Sequence, residues 1–352
     1  MPVGRRIAVV LFNLGGPDSP AAVEPFLLNL FSDPAIIGLP WPLRPLLARV
    51  IARRRAATAR GIYAKIGGRS PILPNTEAQA AALAEQLHDL GEVRLFCCMR
   101  YWHPMSDEVA AAVQSFSPDE IVLLPLYPQF SSTTTASSQR SWMTAAVAIG
   151  LAVPTKLVCC YPTEPGFVAA AAALVRAGIA ESEAKLGRPP RVLFSAHGLP
   201  KKIVSRGDPY PSQVAQSARA IAVALGLADA DWTVCYQSRV GPLEWIGPAT
   251  DAEIRRAGAE KKGLIVVPVA FVSEHSETLV ELDIEYGVRL AGEVGVPHFI
   301  RVPTVRTHPA FIGALATLVT TALGAKTPVT CAPGRICPVA CTCGHERKLA
   351  HV

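Results

Sequence analysis

Residues 192–200 read Val192-Leu193-Phe194-Ser195-Ala196-His197-Gly198-Leu199-Pro200, an uncharged and mostly apolar run that stops at a histidine and a glycine. A strand with one wet face alternates in polarity. A run apolar at nearly every position suits a strand buried on both faces, as in a parallel sheet. The same pattern recurs at Ile7–Phe12, Val93–Met99, Ile121–Leu126, Lys156–Tyr161, Thr233–Tyr236, Leu264–Val269 and Phe299–Val302. Helical stretches separate these runs: Ala21–Phe31, Asp107–Ser115, Ser138–Val147, Gly166–Lys185, Pro211–Leu225, Asp251–Ala259, Glu277–Ala291 and Pro309–Leu323. Strands alternating with helices predict an α/β fold with parallel sheets.

Four of the eight predicted strands precede about residue 162 and four follow it. The expected architecture is two similar doubly wound lobes, residues 1–162 and 163–308, each with a four-stranded parallel sheet flanked by helices, and a cleft between them. A final helix is expected at 309–324, and the Pro- and Cys-rich residues 325–352 read as an appended tail. The interval between the first two strands is far longer than a normal crossover. Its extra helices and the Pro-rich turn Leu39–Pro45 predict a helical lip over about residues 20–75.

A chain of 352 residues, half of them apolar, is long enough for two sizeable cores. The net charge of +6 is modest, and the basic residues crowd between Arg44 and Arg60. A nucleic-acid binder would carry a stronger basic stripe, so no nucleic-acid partner is expected. An anionic small molecule or an anionic membrane surface fits the local charge better. The longest apolar stretches, such as Phe167 to Val175, are too short to cross a bilayer. Arg5 and Arg6 precede the apolar Ile7–Phe12, but that run is too short for a signal peptide and no small-x-small site follows. A cytoplasmic protein without disulfides is expected.

Polar or glycine-rich residues follow nearly every strand, where ligands bind in open parallel sheets. They include Asn13-Leu14-Gly15-Gly16-Pro17, Arg100-Tyr101-Trp102-His103, Tyr127-Pro128-Gln129-Phe130 with Ser131 to Ser138, Gln237-Ser238-Arg239 and Ser273-Glu274-His275-Ser276-Glu277. None is a dinucleotide fingerprint, a P-loop or a serine-hydrolase elbow. His197 lies just past a buried strand, beside a glycine expected to admit a bulky ligand. Its imidazole can accept a proton near neutral pH or ligate a borderline metal. Glu274, Glu277, Glu281 and Glu285 fall along one helical face, and no Lys or Arg intervenes before Arg289. Carboxylates with one imidazole suit Fe(II), with other divalent ions as competitors. Tyr101, Trp102, Tyr127, Phe130, Tyr236 and Trp245 sit at or soon after strand ends, and large rings there suit a flat apolar ligand.

Nine cysteines are unevenly placed. Cys97, Cys98, Cys159, Cys160 and Cys235 lie in strand-like runs, as small buried hydrophobes do. Cys331, Cys337, Cys341 and Cys343 crowd together as C-x5-C-x3-C-x-C, unlike the paired C-x2-C of zinc sites. Iron–sulfur clusters tolerate varied spacing and accept a ligand from the globular body, for which Cys159 or Cys160 is the candidate. Zinc is the competing occupant, and a redox-sensitive tail the alternative without a metal.

Taken in order, these strand-end motifs resemble the ferrochelatases across residues 5–323. The matching segments are Phe12 to Pro17, Ile66 to Ile72, Met99-Arg100-Tyr101, Leu124 to Gln129, Ser195 to Pro200, Gln237 to Pro242 and His275 to Leu279. The resemblance implies two Rossmann-like lobes, with the final helix folding back on the first. It also implies insertion of ferrous iron into a porphyrin, with His197 and Glu277 handling iron and proton, and Glu281 and Glu285 as an approach path. Asn13, Arg100, Tyr101, Tyr127, Ser131 and Trp245 are then expected to meet the porphyrin. Animal enzymes of the family carry a cluster-ligating cysteine where this chain reads Phe130-Ser131-Ser132, so a 2Fe–2S cluster here must use other cysteines. Some bacterial members also have a cysteine-bearing tail. An apolar product favours peripheral docking on the inner membrane. Protoporphyrin and coproporphyrin both remain open as substrates. The rival readings are a chelatase for another metal and tetrapyrrole, and a haem- or metal-binding protein without catalysis.

Overall fold

The computed structural model describes residues 4–239, 241 and 243–332. The order is β1 Arg6–Asn13, α1 Val23–Ser32, α2 Leu43–Ala64, α3 Ile72–Leu87, β2 Glu92–Met99, α4 Ser106–Phe116, β3 Glu120–Pro125, α5 Thr135–Ala148 and β4 Thr155–Cys160. There follow α6 Pro165–Leu186, β5 Arg191–His197, α7 Lys201–Val204, α8 Tyr210–Leu225, β6 Trp232–Gln237, α9 Thr250–Ala259 and β7 Leu264–Pro268. A π-helix Glu277–Leu290 runs into α10 Ala291–Glu293, and β8 Phe299–Arg301, α11 Pro309–Gly324 and β9 Val329–Cys331 complete the described chain.

Two compact units result, one of residues up to Cys160 joined by the segment from Leu315, the other spanning Tyr161–Ala314. Every strand pair is parallel, with order β2-β1-β3-β4-β9 in the first sheet and β6-β5-β7-β8 in the second. The runs that become β1, β3, β5 and β7 are buried on both faces, with Ile7 to Phe12 exposing no surface, whereas β2, β6 and β8 at the sheet edges are only partly buried. Within each unit the second strand flanks the first on one side and the third flanks it on the other. The order therefore reverses beside the first strand, and crevices for ligands open at that point.

The first sheet has five strands where four were expected. The fifth, β9, comes from the segment read as tail, and its three residues pair with the edge of β4. Such a short strand flanked by Pro and Cys carries too little pattern to be seen as one. The π-helix is the second departure. Its fourteen residues far exceed the usual single-turn π-bulge, and its cap N–H bonds back to the Tyr286 carbonyl, five residues earlier. Thr278, Leu282, Tyr286 and Leu290, four residues apart, lie on one inward flank of it, with Val280 buried beside them. That interval suits a turn wider than the α-helix's 3.6 residues. Gly287 lets the helix lie on Phe299, whose ring would stand 2.8 Å from any Cβ there.

The long interval between β1 and β2 holds the helices α1 and α2. Ala48, Ala52 and Ala56, four residues apart, are buried on α2, and Ala52 joins Val23, Phe26, Leu27, Tyr63 and Tyr101 in one apolar cluster. Seven of the eleven large apolar side chains exposed among the described residues lie between Ile36 and Val50, Trp41 being 77% exposed. No described helix is long and apolar enough to cross a membrane.

Candidate active site

In the second unit, β5 lies at the point where strand order reverses, and His197 is its last residue. The end of β5 is pinned beneath it: the buried Ser195 hydroxyl donates to Gln237 Oε1 (2.7 Å) and lies 2.9 Å from the Thr250 hydroxyl. His197 Nδ1 lies 2.6 Å from the Gly198 carbonyl. A carbonyl can only accept, so Nδ1 carries the proton and Nε2 keeps its lone pair. Nε2 faces Glu277 Oε1 at 3.9 Å, beyond direct hydrogen bonding and within ion-pair range once the ring is protonated. Gly198 makes room for the protein and not for a ligand: a Cβ would meet the Gln237 carbonyl at 3.0 Å, the Trp245 ring at 3.2 Å and Arg239 at 3.3 Å.

Glu277 opens the π-helix, and the turn before it is tightly fastened. Its N–H donates to His275 Nδ1 (3.0 Å), while the His275 N–H donates to Thr278 Oγ1 (3.1 Å). Burial holds the His275 pKa below the usual imidazole value, so this ring is a neutral structural acceptor. Glu281, one step along the helix, accepts from the Ser238 N–H (2.8 Å), the Ser238 hydroxyl (2.5 Å) and the Tyr286 hydroxyl (3.2 Å). Burial first, and then the Glu277 charge, push its pKa upward. Two neighbouring, partly buried carboxylates, one of them facing an imidazole, are a donor set suited to a divalent cation. Glu285 follows on the same flank and is half-buried.

Glu274 does not belong to this group. It accepts from Arg301 Nη1 (2.8 Å), the Thr278 hydroxyl (2.6 Å) and the Thr304 N–H (2.9 Å). Arg301 also grips Asp283 with two bonds of 2.7 and 2.5 Å. The expected absence of a cation partner along the acidic row thus fails for its first member. The partner comes from β8, a distance in sequence that local spacing does not reveal.

The first unit gathers its expected residues at the ends of β1, β2 and β3. Arg100 donates to Asp33 (2.8 Å) and to the Ser137 hydroxyl (2.7 Å), and the buried Tyr101 hydroxyl donates to the same carboxylate (2.9 Å). Burial drives the Asp33 pKa up, but bonds from Ser137, Ala35 and Tyr101 and the Arg100 charge bring it below the usual range. Asp33 thus stays an anion that orients Arg100. Asn13 is 5% exposed, its amide committed to Thr76 Oγ1 (2.9 Å) and the Leu14 N–H (2.8 Å), so it fastens β1 to α3. Ser131 is buried in a turn with Thr133 (2.9 Å). Burial raises the pKa of the Tyr127 phenol, which is neutral at any physiological pH. In the second unit Trp245 packs over Gly198 and bridges to Pro200. Asp33 escapes notice in the sequence, and Ser238 stands there only as one member of the Gln237–Pro242 segment with no role of its own. The roles of both come from residues distant in sequence, Arg100 and Tyr101 for Asp33 and Glu281 for Ser238.

The cysteines divide as well. Cys159, Cys160 and Cys331 hold their sulfur atoms within 4.8 Å of one another, with Cys160 and Cys331 at 3.6 Å. Successive strand residues ordinarily point to opposite faces. The register of β4 against β9 slips between Val158 and Cys160, and both neighbouring thiols reach Cys331. Cys337, Cys341 and Cys343 lie outside the described residues.

An imidazole and a carboxylate pair at the crevice of one doubly wound parallel sheet define a protein of the metal-chelating class. The comparisons make this particular: the ferrochelatase family model matches residues 6–323, and the chain belongs to that family. It is 54% identical to a ferrochelatase of Phenylobacterium zucineum over 96% of this chain and 98% of that one. It is 53% identical to one of Caulobacter vibrioides, over 93% and 92% of the respective chains. It is 49% identical to one of Hyphomonas neptunium, over 96% and 93%. Among solved structures, SirB from Bacillus subtilis is similar over 91% of this chain and 96% of that one, with a TM-score of 0.49 and 12% identity.

Proposed function

We propose that the protein inserts Fe(II) into protoporphyrin IX, with loss of the two pyrrole protons, to give protohaem. The observation that carries this reading is the setting of His197, whose Nδ1 lies 2.6 Å from the Gly198 carbonyl while its Nε2 faces Glu277 at 3.9 Å. A planar porphyrin shields its inner nitrogens. Bending the ring exposes their lone pairs, at a strain supplied by binding energy from the rest of the macrocycle. Each proton then needs a base. Nε2 takes one as the imidazolium, which the Glu277 carboxylate stabilises, and releases it to solvent, so that the regenerated lone pair takes the second in turn. Fe(II), a substrate here, meets Glu277 and His197, with Glu281 and Glu285 along its approach. In the first unit, Arg100, held by Asp33, suits a propionate, and Tyr101, Tyr127 and Ser131 shape the surrounding wall. Asn13 serves by fastening that wall. The test is anaerobic turnover of Fe(II) with protoporphyrin and coproporphyrin side by side. Faster turnover of coproporphyrin would replace the substrate, and turnover of neither would overturn the reading.

A 2Fe–2S cluster, which takes four thiolates, held by Cys331, by Cys160 or Cys159, and by two of the tail residues Cys337, Cys341 and Cys343 forms a second part of the proposal. The thiols fit such a group. Two sulfurs bound about 2.3 Å from one tetrahedral metal stand roughly 3.7 Å apart, and Cys160 and Cys331 are at 3.6 Å. When bound, the cluster supplies a one-electron couple and a covalent tie between β4 and β9. Protein purified without oxygen is expected to be coloured, with equal iron and acid-labile sulfide. Cys331→Ser should bleach it, and bleaching by only one of Cys160→Ser and Cys159→Ser identifies the ligand from the body. A colourless protein with stoichiometric zinc would refute the cluster.

The third part is peripheral docking of residues 36–50 on an anionic bilayer. Exposed Trp41, Leu43, Leu46 and Leu47 are followed along α2 by exposed Arg49, Arg53, Arg54 and Arg55. Apolar side chains beside a basic cluster match the acyl and headgroup layers respectively. The protein is expected to float with vesicles containing phosphatidylglycerol. Trp41→Glu with Leu46→Glu should abolish flotation, and retained flotation would place the contact elsewhere.

A further inference from the structure

Ser238 has a backbone that serine rarely adopts. Its φ is +59°, in the left-handed region that glycine and asparagine enter most easily. It directly follows Gln237, the last residue of β6, whose carbonyl accepts from the Gly198 N–H at 2.9 Å. The strand partner of Gln237 is His197 itself. Turned this way, Ser238 presents both of its donors to the π-helix. Its N–H bonds Glu281 Oε1 at 2.8 Å, and its hydroxyl lies 2.5 Å from Glu281 Oε2 and 3.3 Å from Glu277 Oε2. One residue thus sits between two carboxylates that would otherwise repel each other, beside the histidine. A glycine would meet the backbone requirement with less strain but would carry no hydroxyl. An unfavourable residue at a strained position argues that its side chain is needed there.

We propose that Ser238 is a positioning residue for the metal substrate, its hydroxyl and N–H holding Glu281 beside Glu277 in the geometry that receives the ion. This rests on the reading of Glu277 and Glu281 as metal-handling groups. The hydroxyl can donate to only one carboxylate at a time. Ser238 therefore holds Glu281 firmly and leaves Glu277 the freedom to turn toward His197.

The experiment compares Ser238→Gly and Ser238→Ala with the wild type. Glycine relieves the left-handed backbone and keeps the N–H, so that variant should melt within a few degrees of the wild type. The KM for Zn(II), with porphyrin saturating, is expected to rise about tenfold in both variants, the size of effect that a lost bond to a charged group produces. Porphyrin affinity, followed by quenching of its fluorescence, should not change. A merely structural role would lower the melting temperature or weaken porphyrin binding along with metal binding. Calorimetric titration with Zn(II) alone reads the same carboxylates without porphyrin. Weaker Zn(II) binding in both variants supports Ser238 even where the wild type turns over no porphyrin, and that second failure would count against the proposed reaction instead. A glycine variant with the wild-type response to Zn(II) in both measurements overturns the assignment.

Discussion

Replacing His197 by alanine is expected to leave the fold and porphyrin binding intact while iron insertion falls by about 10²–10⁴-fold, the usual loss for a general base. The side chain is 40% exposed, so its truncation opens no buried cavity. No described neighbour can take its place. His275 is buried, and its Nδ1 already accepts from the Glu277 N–H. Glu277→Gln keeps the shape and removes the charge that stabilises the imidazolium, so turnover should collapse there too. Glu281→Gln and Glu285→Gln should act mainly on the apparent affinity for metal. Initial rates over a range of Fe(II) concentrations separate these cases. A His197→Ala enzyme that works at near-normal speed would remove the histidine from the mechanism.

The second large effect concerns the support of the π-helix. Arg301→Met should destabilise the second unit by roughly 3–5 kcal/mol, because it strands the buried Glu274 carboxylate without its cation. The side chains of Arg301 and Glu274 are only 9% and 10% exposed, so water cannot take over that role. Asp283, 35% exposed, loses less. The pair also ties stability to pH. Burial alone would raise the Glu274 pKa, but the Arg301 charge and bonds from Thr278 and Thr304 outweigh it, and the folded value lies below the usual carboxylate range. Its contribution is therefore complete above the unfolded carboxylate pKa and is lost as pH falls through the lower folded value. Amide exchange across residues 277–290 should quicken sharply in the variant. Unchanged protection would show that the helix does not depend on the ion pair. Arg301→Met with Glu274→Gln should regain part of the loss, since no unpaired charge is then buried.

What could be read from the sequence follows the reach of each interaction. Strands buried on both faces are written in consecutive residues, and all eight expected strands are present. His197 was visible because a polar residue at the end of such a run stands out. The π-helix was hidden because glutamates four residues apart satisfy an ordinary helix as well. The cation partner of Glu274 stands 27 residues away, and the Ser238 contact with Glu281 spans 43. Neither leaves a mark on local composition. Gly198 shows the converse error, since its small size was visible but what fills the space beside it was not.

The placement of β9 bears on the order in which the chain can assemble. Cys331 lies beside Cys160, 171 positions further along the chain, and among the described residues the first unit also takes in the segment from Leu315 to Ala332. A ribosome releases the four early strands of that sheet long before the fifth, and delivers Tyr161–Ala314 of the second unit in between. The unit that begins first is therefore finished last. Until then the edge of β4, with Cys159 and Cys160, lacks its parallel neighbour, an opening to mispairing of the kind that sheet edges present during synthesis.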